Sequence, residues 1–119
     1  MDKDVIIQKI SSPSESVFQK AVKYYSVLFT LKGISIPDMQ MNILAFTAVR
    51  GSISSGGAKE KFIEMFPTTT KASIGNVVFQ LKKKGYLIKR DKKIIVNPSI
   101  YLDFKRPIIL QIKLNGKDA

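Results

Sequence analysis

The sequence predicts one α+β domain, with three to four helices followed by a basic β-hairpin and an extra strand at each end. The chain has 119 residues, 45% of them hydrophobic, which is enough for one core and too little for two ordinary domains. Helix-start and helix-stop residues recur through its first part. Residues 71–98 then contain, in order, a segment with helical periodicity, a Lys-Lys-Lys-Gly sequence that ends the helix, and two short β-prone segments.

The N-terminal part predicts a strand and a first helix. Asp4–Ile10 is short and rich in β-branched residues, as strands are. Ser12–Glu15 is a helix-start signal with Ser12 as the cap, and the helix should run to about Leu31 and end at Gly33. Its apolar stripe is Val17, Ala21, Tyr24, Tyr25 and Leu28.

A second helix follows a repeat of the same start signal. Ser35–Asp38 has a cap, a proline and an acid in order, and the helix should run to about Val49 and end at Gly51. Its residues are apolar nearly all round, which predicts a central position in the core. The apolar residues of this helix include Ile43, Leu44, Phe46 and Ala48.

Residues 51–57 (GSISSGG) form a predicted flexible linker, in which a short strand fits around Ile53. Ser55 or a neighbour should then cap a short helix over Ala58–Phe66, which Pro67 ends. The inward-facing residues of this helix are Phe62, Ile63 and Phe66.

The next helix, predicted over Lys71–Lys84, is capped by the Thr68–Thr70 run and stopped by Gly85. Its last turn holds three lysines, which complement the helix dipole. The residues expected to face the core have the i, i+3, i+4, i+7 spacing of a buried stripe. They are Ile74, Val77, Val78 and Leu81.

The C-terminal third predicts a hairpin and a last strand. Tyr86–Lys89 and Lys93–Val96 are β-prone, and Arg90–Lys92 makes the turn between them. Pro98–Phe104 fits a helical turn, and Ile108–Leu114 alternates like a strand.

The outward face of the 71–84 helix carries the candidate base contacts. At about 100° per residue, Ala72, Asn76, Phe79 and Lys83 fall opposite the buried stripe. Ala72 and Gly75 are small enough for close approach to a partner. Side chains that hydrogen-bond base edges lie on or beside this face, although a solvated polar face is the alternative. They are Thr69, Ser73, Asn76 and Gln80.

The positive charge is concentrated around this helix and hairpin. The net charge is +11, and residues 71–106 hold ten Lys or Arg against two acids, a net of +8 against +3 elsewhere. Such an excess predicts attraction to polyanions, with a solubilising surface as the alternative. The candidate phosphate contacts are Lys71, Lys83, Lys89, Arg90, Lys92 and Lys93.

Phe79 is an exception on the polar face. It is expected to pack against the hairpin, the C-terminal strand or a second protomer; stacking on an unpaired base is the alternative. Tyr24, Tyr25 and Tyr101 are expected in the core or an interface.

Composition argues against several functions. The chain has no Cys and no His, which excludes thiol nucleophiles, disulfides, zinc fingers and His-based acid–base catalysis. Residues 51–57 lack the Gly-Lys-Ser/Thr ending of a nucleotide loop. We therefore expect no enzyme, no cofactor and no metal. No apolar run is long enough to span a membrane and no signal peptide is evident, so a cytoplasmic protein is expected.

The segment IGNVVFQLKKKGYLIKRDKKIIVNP (residues 74–98) resembles the winged helix-turn-helix superfamily. It is similar to bacterial multiple-antibiotic-resistance-type repressors and to the winged domains of plasmid replication initiators. The resemblance covers residues 35–98, with extensions over 1–34 and 99–119. It implies that the 71–84 helix enters the major groove and that residues 89–93 form the wing. The chain lacks the long C-terminal dimerisation helix of the repressors.

Two functions follow from these features. The first is a transcriptional regulator that reads double-stranded DNA. The second is a phage or plasmid assembly or replication-complex protein that uses a winged domain for protein contacts; a virion location would then apply. The terminal β-prone segments favour the second, because such strands can pair with a protein partner or a second copy.

Overall fold

The computed structural model describes residues 5–10 and 16–113, which form an α+β arrangement of four helices and two antiparallel strand pairs. In chain order the elements are β1 (Val5–Ile10), α1 (Val17–Leu31), α2 (Asp38–Arg50), α3 (Ala58–Met65), α4 (Lys71–Lys83), β2 (Leu87–Arg90), β3 (Lys93–Val96) and β4 (Ile108–Lys113). The predicted class, helix count, hairpin and terminal strands are therefore confirmed.

Helix α1 begins later than the sequence predicts. Its N-cap is Ser16, which accepts a hydrogen bond from the backbone of Gln19 and receives the Gln19 side chain on its own backbone N–H. The predicted start signal, Ser12–Glu15, lies outside the described residues. The C-terminus is as predicted, since the Gly33 and Ile34 amides close a double hydrogen-bonded cap.

Helix α2 lies at the centre of the core, as its all-round apolarity predicts. Ile43, Leu44 and Ala45 are fully buried. The buried hydroxyl of Thr47 is satisfied by donating to the Ile43 carbonyl at 2.7 Å. The predicted cap at Ser35 is wrong, because Pro37 occupies the N-cap position and no side chain caps the helix.

The 51–57 linker holds no strand, which corrects a second expectation. Ile53 is buried and makes one backbone hydrogen bond, donating to the Ile94 carbonyl at 3.2 Å. The Ser54 hydroxyl accepts from the Ile94 N–H at 2.9 Å, so a side chain replaces the second ladder bond. Ser55 does not cap α3 with its side chain, since Gly57 is the N-cap residue.

The two strand pairs are separate. β2 pairs with β3 from Leu87↔Val96 to Arg90↔Lys93, and Leu87 and Val96 are buried against the helices. β1 pairs with β4, with Val5 opposite Lys113. The terminal strands expected to seek a partner thus pair with each other. The start of the 98–104 segment is a turn closed by two hydrogen bonds, from the Ile100 N–H to the Asn97 carbonyl and from the Tyr101 N–H to the Pro98 carbonyl. No helix forms over 98–104, where a helical turn is predicted.

Aromatic rings fill the space between α1 and the helices and strands around it. Tyr25 is fully buried and donates a hydrogen bond to the Ile100 carbonyl at 2.9 Å, and its ring packs on Phe29 and Phe104. Tyr24 is half-buried and Tyr101 exposed. Phe29 also contacts Tyr86, with ring centroids 4.8 Å apart, which ties the start of the hairpin to α1. No helix among the described residues is long and apolar enough to cross a membrane.

Candidate nucleic-acid interface

Helix α4 presents the two faces that its sequence predicts. Ile74 and Leu81 are fully buried and Val78 nearly so, while Val77 is half-buried. The predicted outer residues, Ala72, Asn76, Phe79 and Lys83, are all exposed, as is Gly75. The polar outer face is therefore accessible to a partner over the whole length of the helix.

The N-terminus of α4 uses one of the predicted base contacts for its own structure. Thr70 is the N-cap and accepts from the Ser73 backbone N–H at 3.1 Å. The Ser73 hydroxyl accepts from the Thr70 N–H and donates to the Thr70 carbonyl at 2.8 Å. Ser73 therefore completes a capping box, so its hydroxyl is already engaged in the free protein.

Thr69 is not accessible beside the outer face of α4, which corrects its predicted position. The residue is only 6% exposed, and its hydroxyl oxygen is buried without a hydrogen-bond partner in the described structure. Its backbone N–H closes the preceding turn by donating to the Phe66 carbonyl. Helical periodicity predicts Thr69 beside the outer face. Thr69 precedes the N-cap residue Thr70, however, so it is not part of the helix and the periodicity does not apply to it.

Asn76 and Gln80 differ in the hydrogen bonds of their side chains. Asn76 is exposed, and its side chain has no hydrogen-bond partner within residues 16–113. Gln80 is exposed, but its side-chain oxygen accepts from the Gln40 amide nitrogen at 3.0 Å. Gln40 in turn accepts from the Lys84 ammonium at 2.8 Å. The sequence alone does not identify Gln40 as a partner of Gln80. The available signal is that Gln40 is a polar residue in a helix that is otherwise predicted to lie in the core.

Lys71 lies in an ion pair in the free protein. Its ammonium is 2.7 Å from a Glu60 carboxylate oxygen, and both side chains are more than half exposed. The hydrogen bond from Lys71 is the main reason that the pKa of Glu60 lies below its usual value. Lys71 therefore reaches a phosphate only by giving up Glu60, unlike Lys83, which has no ion pair among the described side chains.

The hairpin carries the other predicted phosphate contacts. Lys89, Arg90, Lys92 and Lys93 are all exposed, and none forms an ion pair with a described acid. Their turn has two residues rather than the predicted three, because Arg90 pairs with Lys93. Asp91 and Lys92 have φ of +53° and +67°, as a two-residue hairpin turn of the I′ type requires.

The hairpin is joined rigidly to the end of α4. Gly85, with φ of +83°, gives the left-handed residue that lets the Tyr86 N–H return to the Leu81 carbonyl. The Asn97 side chain donates to the Gly85 carbonyl at 2.9 Å, and its backbone N–H donates to the Tyr86 carbonyl. These bonds tie the base of the hairpin to the C-terminal end of α4.

Phe79 is 64% exposed in the middle of this face. The hairpin and the described part of the C-terminal strand do not cover it, so those two expectations are wrong. The second-protomer and base-stacking expectations for Phe79 stay predictions.

Comparison with known proteins gives no further guide, since no protein-family model, curated protein or solved structure matches the chain. Within the described ranges, no group of three or more Asp or Glu residues is placed to hold a metal ion.

Proposed function

We propose that the protein binds double-stranded DNA as a winged helix-turn-helix transcriptional regulator. Helix α4 would lie in the major groove and the 87–96 hairpin, as the wing, along the phosphate backbone. The order α3, five-residue turn, α4 and hairpin supports this, because it matches the order of elements in that class of DNA-binding domain.

The observation that carries the proposal is the set of cations without acidic partners around α4. The hairpin tip offers four exposed basic side chains around a single acid, Asp91, and Lys83 adds another on the outer face. A solubilising surface needs charges of both signs interspersed, whereas a phosphate backbone needs cations that no neighbouring acid neutralises.

The reading surface is smaller than the sequence predicts. Asn76 is the accessible amide, Gln80 is partly engaged, and Thr69 is buried. Ala72 and Gly75 leave room for the helix backbone to approach the base edges. Phe79 is placed for apolar contact with thymine methyl groups.

A titration of fluorescent duplex DNA tests the proposal. Affinity should fall steeply between low and physiological salt, and Asn76→Ala or Gln80→Ala should lower discrimination between sequences by about 1–3 kcal/mol for a true base contact. An affinity that is absent at low salt would overturn the proposal. If both variants discriminate between DNA sequences as well as the unaltered protein does, α4 is not the element that recognises the bases.

The second candidate is a structural or assembly protein that uses the same domain to bind protein, and Phe79 is the observation that favours it. Phe79 is 64% exposed, and aromatic residues are enriched in protein–protein contact sites. A size measurement in solution separates the two functions. A high-order assembly without DNA binding at low salt supports this candidate, and a DNA-binding monomer or dimer contradicts it.

A further inference from the structure

Three side chains form a hydrogen-bonded chain between α2 and α4. The Lys84 ammonium donates to Oε1 of Gln40 at 2.8 Å, and Nε2 of Gln40 donates to Oε1 of Gln80 at 3.0 Å. Gln40 is only 6% exposed, while Lys84 and Gln80 lie at the surface. The buried amide thus connects two exposed residues, Gln80 on α4 and Lys84 at the C-cap of that helix.

The direction of every bond in this chain follows from Lys84. An ammonium group donates hydrogen bonds and cannot accept one. The oxygen of Gln40 must therefore face Lys84, which turns the Gln40 NH2 group toward Gln80. Because that group is a donor, the oxygen of Gln80 must face Gln40. The Gln80 NH2 group is the other branch of the same amide, and it is left pointing away from α2.

This orientation matters for the choice of base. A glutamine recognises adenine by offering its oxygen to N6 and its nitrogen to N7 together, which requires both atoms at the DNA. Because its oxygen is turned toward Gln40, the group that Gln80 turns away from α2 is its NH2, which carries donors only. Guanine presents two adjacent acceptors, N7 and O6, in the major groove, whereas adenine presents one acceptor beside a donor.

We propose that Lys84, acting through Gln40, makes Gln80 a donor-only reader that selects guanine over adenine. Gln40 and Lys84 are positioning residues in this arrangement, and Gln80 touches the base. The inference depends on the proposed DNA binding, and it replaces the adenine preference that a free glutamine would have. One discriminating hydrogen bond corresponds to a preference of roughly three- to tenfold.

Selection of bound duplexes from a random pool tests this inference, with four variants beside the unaltered protein. Gln80→Ala identifies the base position that Gln80 reads. Lys84→Met removes the donor that sets the direction of the chain, and Gln40→Met removes the connecting amide while keeping side-chain volume. Lys83→Met is the matched control, because it removes the same charge from the adjacent residue without touching the chain.

The unaltered protein should prefer guanine over adenine at the position identified by Gln80→Ala. Lys84→Met and Gln40→Met should reduce that preference to about twofold or less, or turn it toward adenine, because Gln80 can then rotate. Lys83→Met should weaken all sequences equally and keep the preference. Should Gln40→Met fail to fold, as judged by circular dichroism, the comparison of Lys84→Met with Lys83→Met still decides the matter.

Three results would count against the inference. An adenine preference in the unaltered protein, or an equal guanine preference in Lys84→Met and Lys83→Met, overturns the donor-only role and leaves DNA binding standing. Absence of binding to any duplex at low salt overturns both proposals. A readout without DNA accompanies the selection: the side-chain amide signals of Gln40 and Gln80 in nuclear magnetic resonance spectra should shift in Lys84→Met and stay in place in Lys83→Met.

Discussion

The side-chain nitrogen of Asn97 donates a hydrogen bond to the backbone carbonyl oxygen of Gly85, at 2.9 Å. Gly85 follows the end of α4 and Asn97 follows the last strand of the hairpin, so this bond closes the base of the hairpin onto α4. The Asn97 side-chain oxygen is also used, accepting from the Ser99 N–H at 3.0 Å. One side chain therefore joins the helix end, the hairpin and the turn after it.

Replacing Asn97 should loosen this junction. Asn97→Ala removes two hydrogen bonds at a half-buried position, so we expect the free energy of unfolding to fall by about 1–2 kcal/mol in urea titrations. Asn76→Ala is the control, since Asn76 is exposed and should change stability by less than about 0.5 kcal/mol. DNA affinity should fall in both, through loss of wing position in the first and of a base contact in the second. Equal stabilities would show that Asn97 does not anchor the hairpin.

The hairpin turn gives a second prediction. Lys92 has a φ of +67°, which costs a residue with a Cβ roughly 1 kcal/mol relative to glycine. Lys92→Gly should therefore raise the melting temperature. Lys93→Gly, which removes the same charge from the adjacent strand residue, should lower it. Melting temperatures that fall alike in both variants would contradict the assigned turn.

Phe79 and Phe62 form a matched pair. Phe79 is 64% exposed and Phe62 is fully buried against Phe46 and Phe66. Phe79→Ala should leave stability within about 0.5 kcal/mol and lower affinity for the selected duplex, whereas Phe62→Ala should cost about 3–5 kcal/mol of stability. Unchanged duplex affinity together with a smaller oligomer in Phe79→Ala would assign this residue to protein contact.

Tyr25 should make stability depend on alkaline pH. Burial raises the pKa of its hydroxyl above the ordinary value of 10.0. The folded state therefore favours the neutral phenol, and the stabilisation is complete below pH 10 and is lost as pH rises above it. Tyr25→Phe removes the bond to the Ile100 carbonyl and should lower stability by about 1 kcal/mol near neutral pH.

Urea titrations at about pH 8 and about pH 11 check this prediction. The difference in stability between the unaltered protein and Tyr25→Phe should shrink or reverse at the higher pH. If the stability difference is the same at both pH values, ionisation of Tyr25 does not destabilise the folded state.

Local patterns predict most of this fold, because its elements are delimited by short-range chemistry. Gly33, Gly51 and Gly85 end three helices at the expected places, and α4 has the expected faces. Helix starts were less predictable. Several Ser or Thr residues compete as the cap of α1 and of α4, and in α1 the residue used, Ser16, follows the expected Ser12 by one helical turn. Helices α2 and α3 have no side-chain cap at all.

The candidate site was predictable in its charges and only partly in its hydrogen bonding. The basic residues of the hairpin are exposed because they lie at the turn end of each short strand, while the apolar residues occupy the end next to the helices. The engagement of Gln80 by Gln40 joins residues 40 positions apart, and the pairing of Lys71 with Glu60 depends on how α3 packs on α4. Neither contact has a signature in local sequence.

The salt dependence of duplex affinity, measured in charge-matched variants, tests the central claim most directly. Lys89, Lys92 and Lys93 are changed to Gln together in one variant, and Lys20, Lys23 and Lys32 of the α1 region in another. If the hairpin contacts phosphates, the slope of log K against log salt should lessen by about 2.7 in the hairpin variant and stay nearly unchanged in the α1 variant. Equal slopes in the two variants would show that the hairpin does not bind the DNA backbone.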